Sequence, residues 1–315
     1  MALPIVSKEG LRAALDEYGA AVVPAVLNAA ECAAMQSSIW DFLEAITAEW
    51  PKPISRNDTT TWRSFYDLFP THGMLLQHWG VGHAQASWDV RQNPKVVDIF
   101  RHFYGRLDLL TSFDGLSFSI PPEQTGRGWH HKDWLHTDQS YTTPDFACVQ
   151  AWATALDVQD GDATLVLLRG SHKHHREFAQ TFGITDKSNW FKLNETQQVW
   201  YAAKGCDPIR VHCKAGDMVF WDSRTIHCGQ GPVKGRAHPK FRMVTYVSMQ
   251  PKDMASQTDL KRKREAFQAG RTTSHWAAKT KLFAKMPRTY GKKTPATKAP
   301  PPPILTDLGR SLAAL

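Results

Sequence analysis

Between residues 107 and 249 the apolar residues of this chain come in short runs cut by Gly, Pro and Asp. They are Leu107 to Ile120, Phe146 to Leu156, Ala163 to Leu168, Ile209 to His212, Met218 to Trp221 and Phe241 to Met249. Runs this short suit strands, and many short strands bury their apolar faces only by stacking or closing sheets. The pattern predicts a mainly β, sandwich- or barrel-like core with flanking helices. One helical insertion, about residues 186–205, interrupts it, where Asn194 and Gln197 can cap a run through Val199, Trp200 and Ala203.

Helix punctuation dominates the N-terminal third. Ser7 is placed to cap a segment closed by Gly19, Asn28 and Glu31 read as a capping box, and Asn93-Pro94 opens a run that ends at Gly105. Ala20 to Leu27 reads as a strand, and residues 51–92 as irregular. The expected organisation is a helical flank (1–106) packed on a core (107–250), a basic extension (251–293) and a proline-rich tail (294–315), with Thr294 to Pro303 as a spacer.

Charge is concentrated rather than spread. The net charge is +8, and residues 252–293 alone hold 12 Lys or Arg against 3 Asp or Glu, so the remainder is close to neutral. That stretch reads as a solvated helix or as a surface for an anionic partner; Trp276, Phe283 and Tyr290 between the basic residues make nucleic acid a possible partner. The five cysteines form no C-x-x-C pair, which speaks against a disulfide framework or a thiolate zinc site and fits a reducing compartment. No apolar run reaches the roughly 20 residues of a membrane span, and the start carries no charged leader. The expectation is a soluble cytoplasmic protein with no membrane partner.

The segment Trp129 to Ser140 contains two His-x-Asp triplets, His131/Asp133 and His136/Asp138. On a strand, residues i and i+2 face the same side, so imidazole and carboxylate can share one ion. His227, 91 residues after His136, ends a hydrophobic run and leads into glycines, which suits a distant third ligand. Two imidazoles and a carboxylate on one face of an octahedron form the ligand set of non-haem Fe(II) sites. Along residues 241–249, Arg242, Val244, Tyr246 and Ser248 share a face opposite Met243, Thr245 and Val247. An arginine on an inward face needs an anion, such as the remote carboxylate of a 2-oxo diacid. Arg236 is the rival cation, in a polar run read as a solvated loop, and His172, His174 and His175 form a second cluster.

Taken in order, Glu17 to Leu27, Ile120-Pro-Pro122, His136-Thr-Asp138, Val149 to Leu156, Arg169-Gly-Ser-His172-Lys173, Gly216-Asp217 and His227 to Arg242 resemble the phytanoyl-CoA dioxygenase (PhyH-like) family of Fe(II)- and 2-oxoglutarate-dependent oxygenases, over about residues 10–250. The resemblance implies a double-stranded β-helix (jelly-roll, cupin-like barrel), iron held by His136, Asp138 and His227, and 2-oxoglutarate held by Arg242. The family's spacing from the metal carboxylate to the following strand's tryptophan favours Asp138, 14 residues before Trp152, over Asp133, 19 before it. His130, His131, Lys132 and Trp134 are then left to line an entrance or a wet loop. Further candidate contacts to 2-oxoglutarate are Gln150, Trp152, Ser119 and Tyr246. Two departures bear on these contacts: Ile120 stands before the proline pair, and Val244 stands where a hydroxyl is common. The implied activity is hydroxylation of an aliphatic C–H of a small molecule with O₂, releasing succinate and CO₂, with ascorbate as reductant in vitro. The alternatives are an oxygenase acting on nucleic acid and a non-catalytic small-molecule-binding barrel.

Overall fold

The computed structural model describes residues 2–69, 74–129, 134–288 and 293–315. The strands are β1 (Ala20–Val23), β2 (Leu75–Leu76), β3 (Leu109–Thr111), β4 (Leu116–Ser119), β5 (His136–Thr137), β6 (Val149–Thr154), β7 (Thr164–Leu168), β8 (Phe191–Lys192), β9 (Pro208–Arg210), β10 (Met218–Asp222), β11 (His227–Gln230) and β12 (Arg242–Pro251). The helices are α1 (Leu11–Tyr18), α2 (Ala29–Ile46), α3 (Phe65–Leu68), α4 (Gln85–Arg91), α5 (Pro94–Tyr104), α6 (Pro122–Thr125), α7 (His175–Thr181), α8 (Glu195–Ala203), α9 (Gln257–Gln268) and α10 (Asp307–Leu312).

Two antiparallel sheets carry the fold. One runs β1-β10-β6-β12-β4-β2 with β3 also on β12, and the other runs β8-β5-β11-β7-β9. They pack together through Val22, Trp152, Val219 and Val244 of the first sheet and Leu167 and Ile209 of the second. The alternate residues of the first sheet, among them Ala151, Phe220, Met243 and Val247, pack on α1, α2 and α5. Those of the second, Val166, Leu168 and Cys228, pack on Phe178 of α7 and Tyr201 of α8. Each central strand is therefore buried on both faces, which is why the runs read as nearly continuous apolar stretches.

The capping boxes at Asn28/Glu31 and Asn194/Gln197 form as expected, and Asn93 caps α5 with Pro94 at its first turn. Gly19 and Gly105 end α1 and α5 with φ of 78° and 61°, the left-handed conformation that favours glycine. Ser7 does not cap α1. Its carbonyl accepts from the Gly10 N–H at 3.1 Å in a preceding turn, and the helix starts at Leu11 without a side-chain cap.

Two larger expectations need correction. Residues 51–92 are not irregular throughout: they include α3, β2 and α4. The helix α4 lacks a side-chain cap, and burial of Trp88 and Arg91 supplies the stability that local signals do not. The proline-rich segment is not a free spacer. Lys298 N–H donates to Ile46 O (2.9 Å), Trp50 Nε1 to Ala296 O (2.7 Å) and Thr306 N–H to Gln92 Oε1 (2.9 Å). Extended proline-rich backbone makes no internal hydrogen bonds, so its carbonyls and few N–H groups are free to strap the helical layer.

The basic stretch is only partly solvated. α9 opens with a Ser256/Asp259 capping box and turns Leu260, Lys263 and Ala266 inward. Lys263 Nζ donates to Thr111 O and, at 3.1 Å, to Ala277 O, and lies 4.2 Å from the Phe113 ring centroid. Trp276 and Phe283 are half-buried, and Tyr290 lies outside the described residues. Among the described residues no helix is long and apolar enough to cross a membrane.

Candidate metal centre

Strand pairing brings the distant ligands together. β5 lies against β11 with His136 directly opposite His227, and their rings are 4.4 Å apart between centroids. Asp138 follows two residues after His136, its N–H donating to Ser223 O (3.2 Å) in the turn that precedes β11. His136 Nε2 stands 3.6 Å from Asp138 Oδ1 and His227 Nε2 3.4 Å from Oδ2, and one donor atom from each of the three residues lies within 4.8 Å of the others. Asp133 and its neighbours 130–132 lie outside the described residues.

Hydrogen bonds set the donor atoms. His136 Nδ1 lies 3.0 Å from Trp134 O and His227 Nδ1 2.9 Å from Thr225 O. A backbone carbonyl accepts only an N–H, so the proton sits on Nδ1 and both Nε2 lone pairs face the carboxylate. Burial, with His227 alongside, pushes His136 down to about 4. Burial also works to raise Asp138, but His136 and His227 outweigh it and hold the carboxyl well below its ordinary range. A neutral His136 beside an ionised Asp138 is the protonation state a divalent cation needs. Two imidazole nitrogens and a carboxylate fit Fe(II), Mn(II) or Co(II) on one face, leaving the opposite face open.

Gln150 on β6 meets the Asp138 carboxylate itself, donating from Nε2 to Oδ2 at 3.2 Å. Trp134 stacks on His136 at 4.5 Å and 13°, with its Nε1 bonded to Gly229 O (2.8 Å), while the half-exposed Trp190 ring lies 5.9 Å from His136. Sequence reasoning left Trp134 undecided and missed Trp190. It also missed His275, whose Nδ1 lies 4.0 Å from Asp138 Oδ2. No spacing rule links a histidine 137 residues downstream to Asp138.

Arg242 opens β12 and points between the sheets, as the alternation predicted. It is 4% exposed; its Nε donates to Ser117 Oγ (2.8 Å) and its Nη1 to Ala163 O (3.0 Å), and the guanidinium lies 5.4 Å from the Trp152 ring centroid. No carboxylate pairs with it among the described residues, so it is a desolvated cation without a protein counter-ion there. Burial raises the Tyr246 hydroxyl, with Arg242 and Ser117 acting the other way. Ser119 pairs with Arg242 in register on β4, but it is Ser117 that Arg242 reaches. The rival Arg236 is no solvated loop residue: its buried side chain is paired with Glu123 (2.9 Å) and Asp162 (2.8 Å). The histidines near residue 172 serve separate backbone and side-chain contacts. His172 Nε2 is 3.1 Å from Asp16 O, His175 Nε2 is 3.1 Å from Ser140 O, and His174 faces Glu177.

"Ava biosynthesis cluster protein O" of Aspergillus versicolor is 28% identical over 232 residues, covering 70% of this chain and 73% of that protein. The crystal structure of a hypothetical protein from Escherichia coli superposes with a TM-score of 0.61 at 12% identity, over 100% of this chain and 86% of that one, which shows a shared fold. The epimerase SnoN, crystallised with Fe3+, alpha-ketoglutarate and nogalamycin RO, is a fainter likeness, with a TM-score of 0.45 and 15% identity over 78% of this chain and 84% of that one. The phytanoyl-CoA dioxygenase (PhyH) profile matches residues 15–231, taking in His136, Asp138 and His227 and stopping short of Arg242 and His275. With more than half its length matched, and with the His136, Asp138 and His227 donors converging inside the match, the chain belongs to the phytanoyl-CoA dioxygenase (PhyH) family.

Proposed function

We propose that the chain hydroxylates an aliphatic C–H of a small molecule, using Fe(II) and 2-oxoglutarate, the cofactors of its family, on a double-stranded β-helix formed by the two facing sheets. The observation that carries the reading is the pairing of a His136/Asp138/His227 donor set with a buried arginine that has no protein carboxylate among the described residues. When bound, the metal and co-substrate supply the oxidising power: 2-oxoglutarate loses CO₂ to become succinate as O₂ is consumed.

In this reading the chain's own residues bind and orient. The two Nε2 atoms and the Asp138 carboxylate hold the metal from one side, with Gln150 fixing the carboxylate's rotation. Arg242 holds the distal carboxylate of 2-oxoglutarate, with Ser117 and Trp152 keeping the guanidinium in place. Trp134 covers His136 and excludes water from that side, and Trp190 offers an exposed aromatic face to a substrate. A relative named for a biosynthesis cluster supports a small-molecule substrate.

The test is succinate release from 2-oxoglutarate by purified protein with Fe(II) and ascorbate in air. Turnover stimulated by a small organic substrate, and lost in Asp138→Ala and His227→Ala, supports the proposal. Tight 2-oxoglutarate binding with no succinate under any substrate would replace it with a binding module.

A further inference from the structure

A third imidazole approaches the metal centre from beyond the family-matched segment. His275 sits on a turn bounded by the Thr273–Leu282 bridge, with Ser274 N–H donating to Lys281 O (2.9 Å). This turn is anchored on both sides. Thr273 and Phe113 exchange two hydrogen bonds, Thr273 N–H to Phe113 O (2.9 Å) and Phe113 N–H to Thr273 Oγ1 (3.0 Å), while Ala278 N–H donates to Gln250 Oε1 (3.0 Å) on β12. The buried Lys263 ammonium binds Ala277 O between them. The basic extension thus holds its own turn rigidly against the sheet that carries Gln150.

His275 Nδ1 faces Asp138 Oδ2 at 4.0 Å, the oxygen to which Gln150 already donates at 3.2 Å. The gap is about 1 Å longer than an N–H···O hydrogen bond, so a small rotation of the ring or the carboxylate closes it. His275 Nε2 is buried and has no hydrogen-bond partner among the described residues. With a carboxylate facing one nitrogen and no acceptor at the other, the ring proton belongs on Nδ1.

Resting on the metal-centre reading above, we propose that His275 is a positioning residue: with Gln150 it engages Asp138 Oδ2 and sets how the carboxylate presents its oxygens to the metal. Hydrogen-bond partners of metal ligands are typically worth 10- to 100-fold in metal affinity. The C-terminal extension then completes the centre.

The experiment titrates full-length apo-protein with Co(II), reading the dissociation constant by chelator competition and the coordination geometry from the visible d–d absorption. His275→Ala is expected to bind Co(II) about 10- to 100-fold more weakly with an altered band. His275→Asn, whose side-chain amide N–H lies near the position of Nδ1, should recover most of that loss. If His275→Ala does not fold, His275→Leu replaces it in the comparison with His275→Asn. A double-mutant cycle combining His275→Ala with Gln150→Leu should show coupling, because both side chains serve one oxygen. Wild-type affinity and spectrum in His275→Ala, or an asparagine variant as weak as the alanine one, overturns the inference alone. Failure of the wild-type protein to bind Co(II) overturns the metal-centre reading, and the inference with it.

Discussion

Replacing Arg242 with methionine removes one guanidinium from between the sheets and keeps a flexible apolar side chain in its volume. The arginine's Nε and Nη1 are committed to Ser117 and Ala163, and no acid pairs with it among the described residues. In the proposed function an arriving carboxylate supplies the missing charge, and removing one partner of such a buried pair costs about 3–5 kcal/mol. At about 1.4 kcal/mol per factor of ten, the dissociation constant for 2-oxoglutarate rises roughly 100- to 4,000-fold. Differential scanning fluorimetry with Mn(II) in place of iron reads this without turnover. A ligand at 100 times its dissociation constant stabilises by about 2.7 kcal/mol. With an unfolding entropy of about 2.1 cal/mol/K for each of 315 residues, that is a shift of about 4 °C. Wild type should show the shift, Arg242→Met should show none at the same concentration, and Arg242→Lys, which keeps the charge but loses the planar fork, should fall between. Without 2-oxoglutarate, Arg242→Met should melt within a few degrees of wild type, because relief of an unpaired buried charge offsets two lost hydrogen bonds. A large drop in melting temperature with the 2-oxoglutarate shift intact would refute the reasoning and make Arg242 a structural strut.

Asp138→Asn keeps the shape of the side chain and removes the charge between the two imidazoles, so stoichiometric Mn(II) binding should be lost in equilibrium dialysis while the fold persists. Burial pushes Lys263 down to about 7 from 10.5. Between these values the folded chain has released a proton that the unfolded chain keeps, so the penalty for burying Lys263 falls as pH rises. In urea unfolding, the stability of wild type relative to Lys263→Met should therefore improve by about 2 kcal/mol from pH 7 to pH 9, and a pH-independent difference would contradict it. Asn28→Ala removes the cap of α2 and should lower stability by about 1 kcal/mol, read from the urea midpoint at unchanged slope.

Where a signal lies within a few neighbouring residues, the structure follows the reading of the chain in all but one case, Ser7, which does not cap α1. The Asn28/Glu31 and Asn194/Gln197 boxes need only a four-residue window, and both form. The alternation along residues 241–249 separates Arg242 and Val244 from Met243 and Val247, and the two sets meet different layers. The His136/Asp138 pair is visible for the same reason. The other misreadings lack a local signature. α4 has no cap and is held by buried Trp88 and Arg91. Ser117 and Ser119 share a face two residues apart, so periodicity cannot choose between them; the reach of the Arg242 side chain along the sheet does.

Residue order and period therefore carried the strands, the helix ends, the ligand pair and the inward arginine, because each depends on dihedral preferences and side-chain direction over a few positions. The meeting of His227 with His136 depends on the register of β11 against β5, and the approach of His275 on a turn anchored to a distant strand. Contacts of that kind arise only when chain segments far apart in order are driven together by shared burial, and burial leaves no imprint in the residues between them.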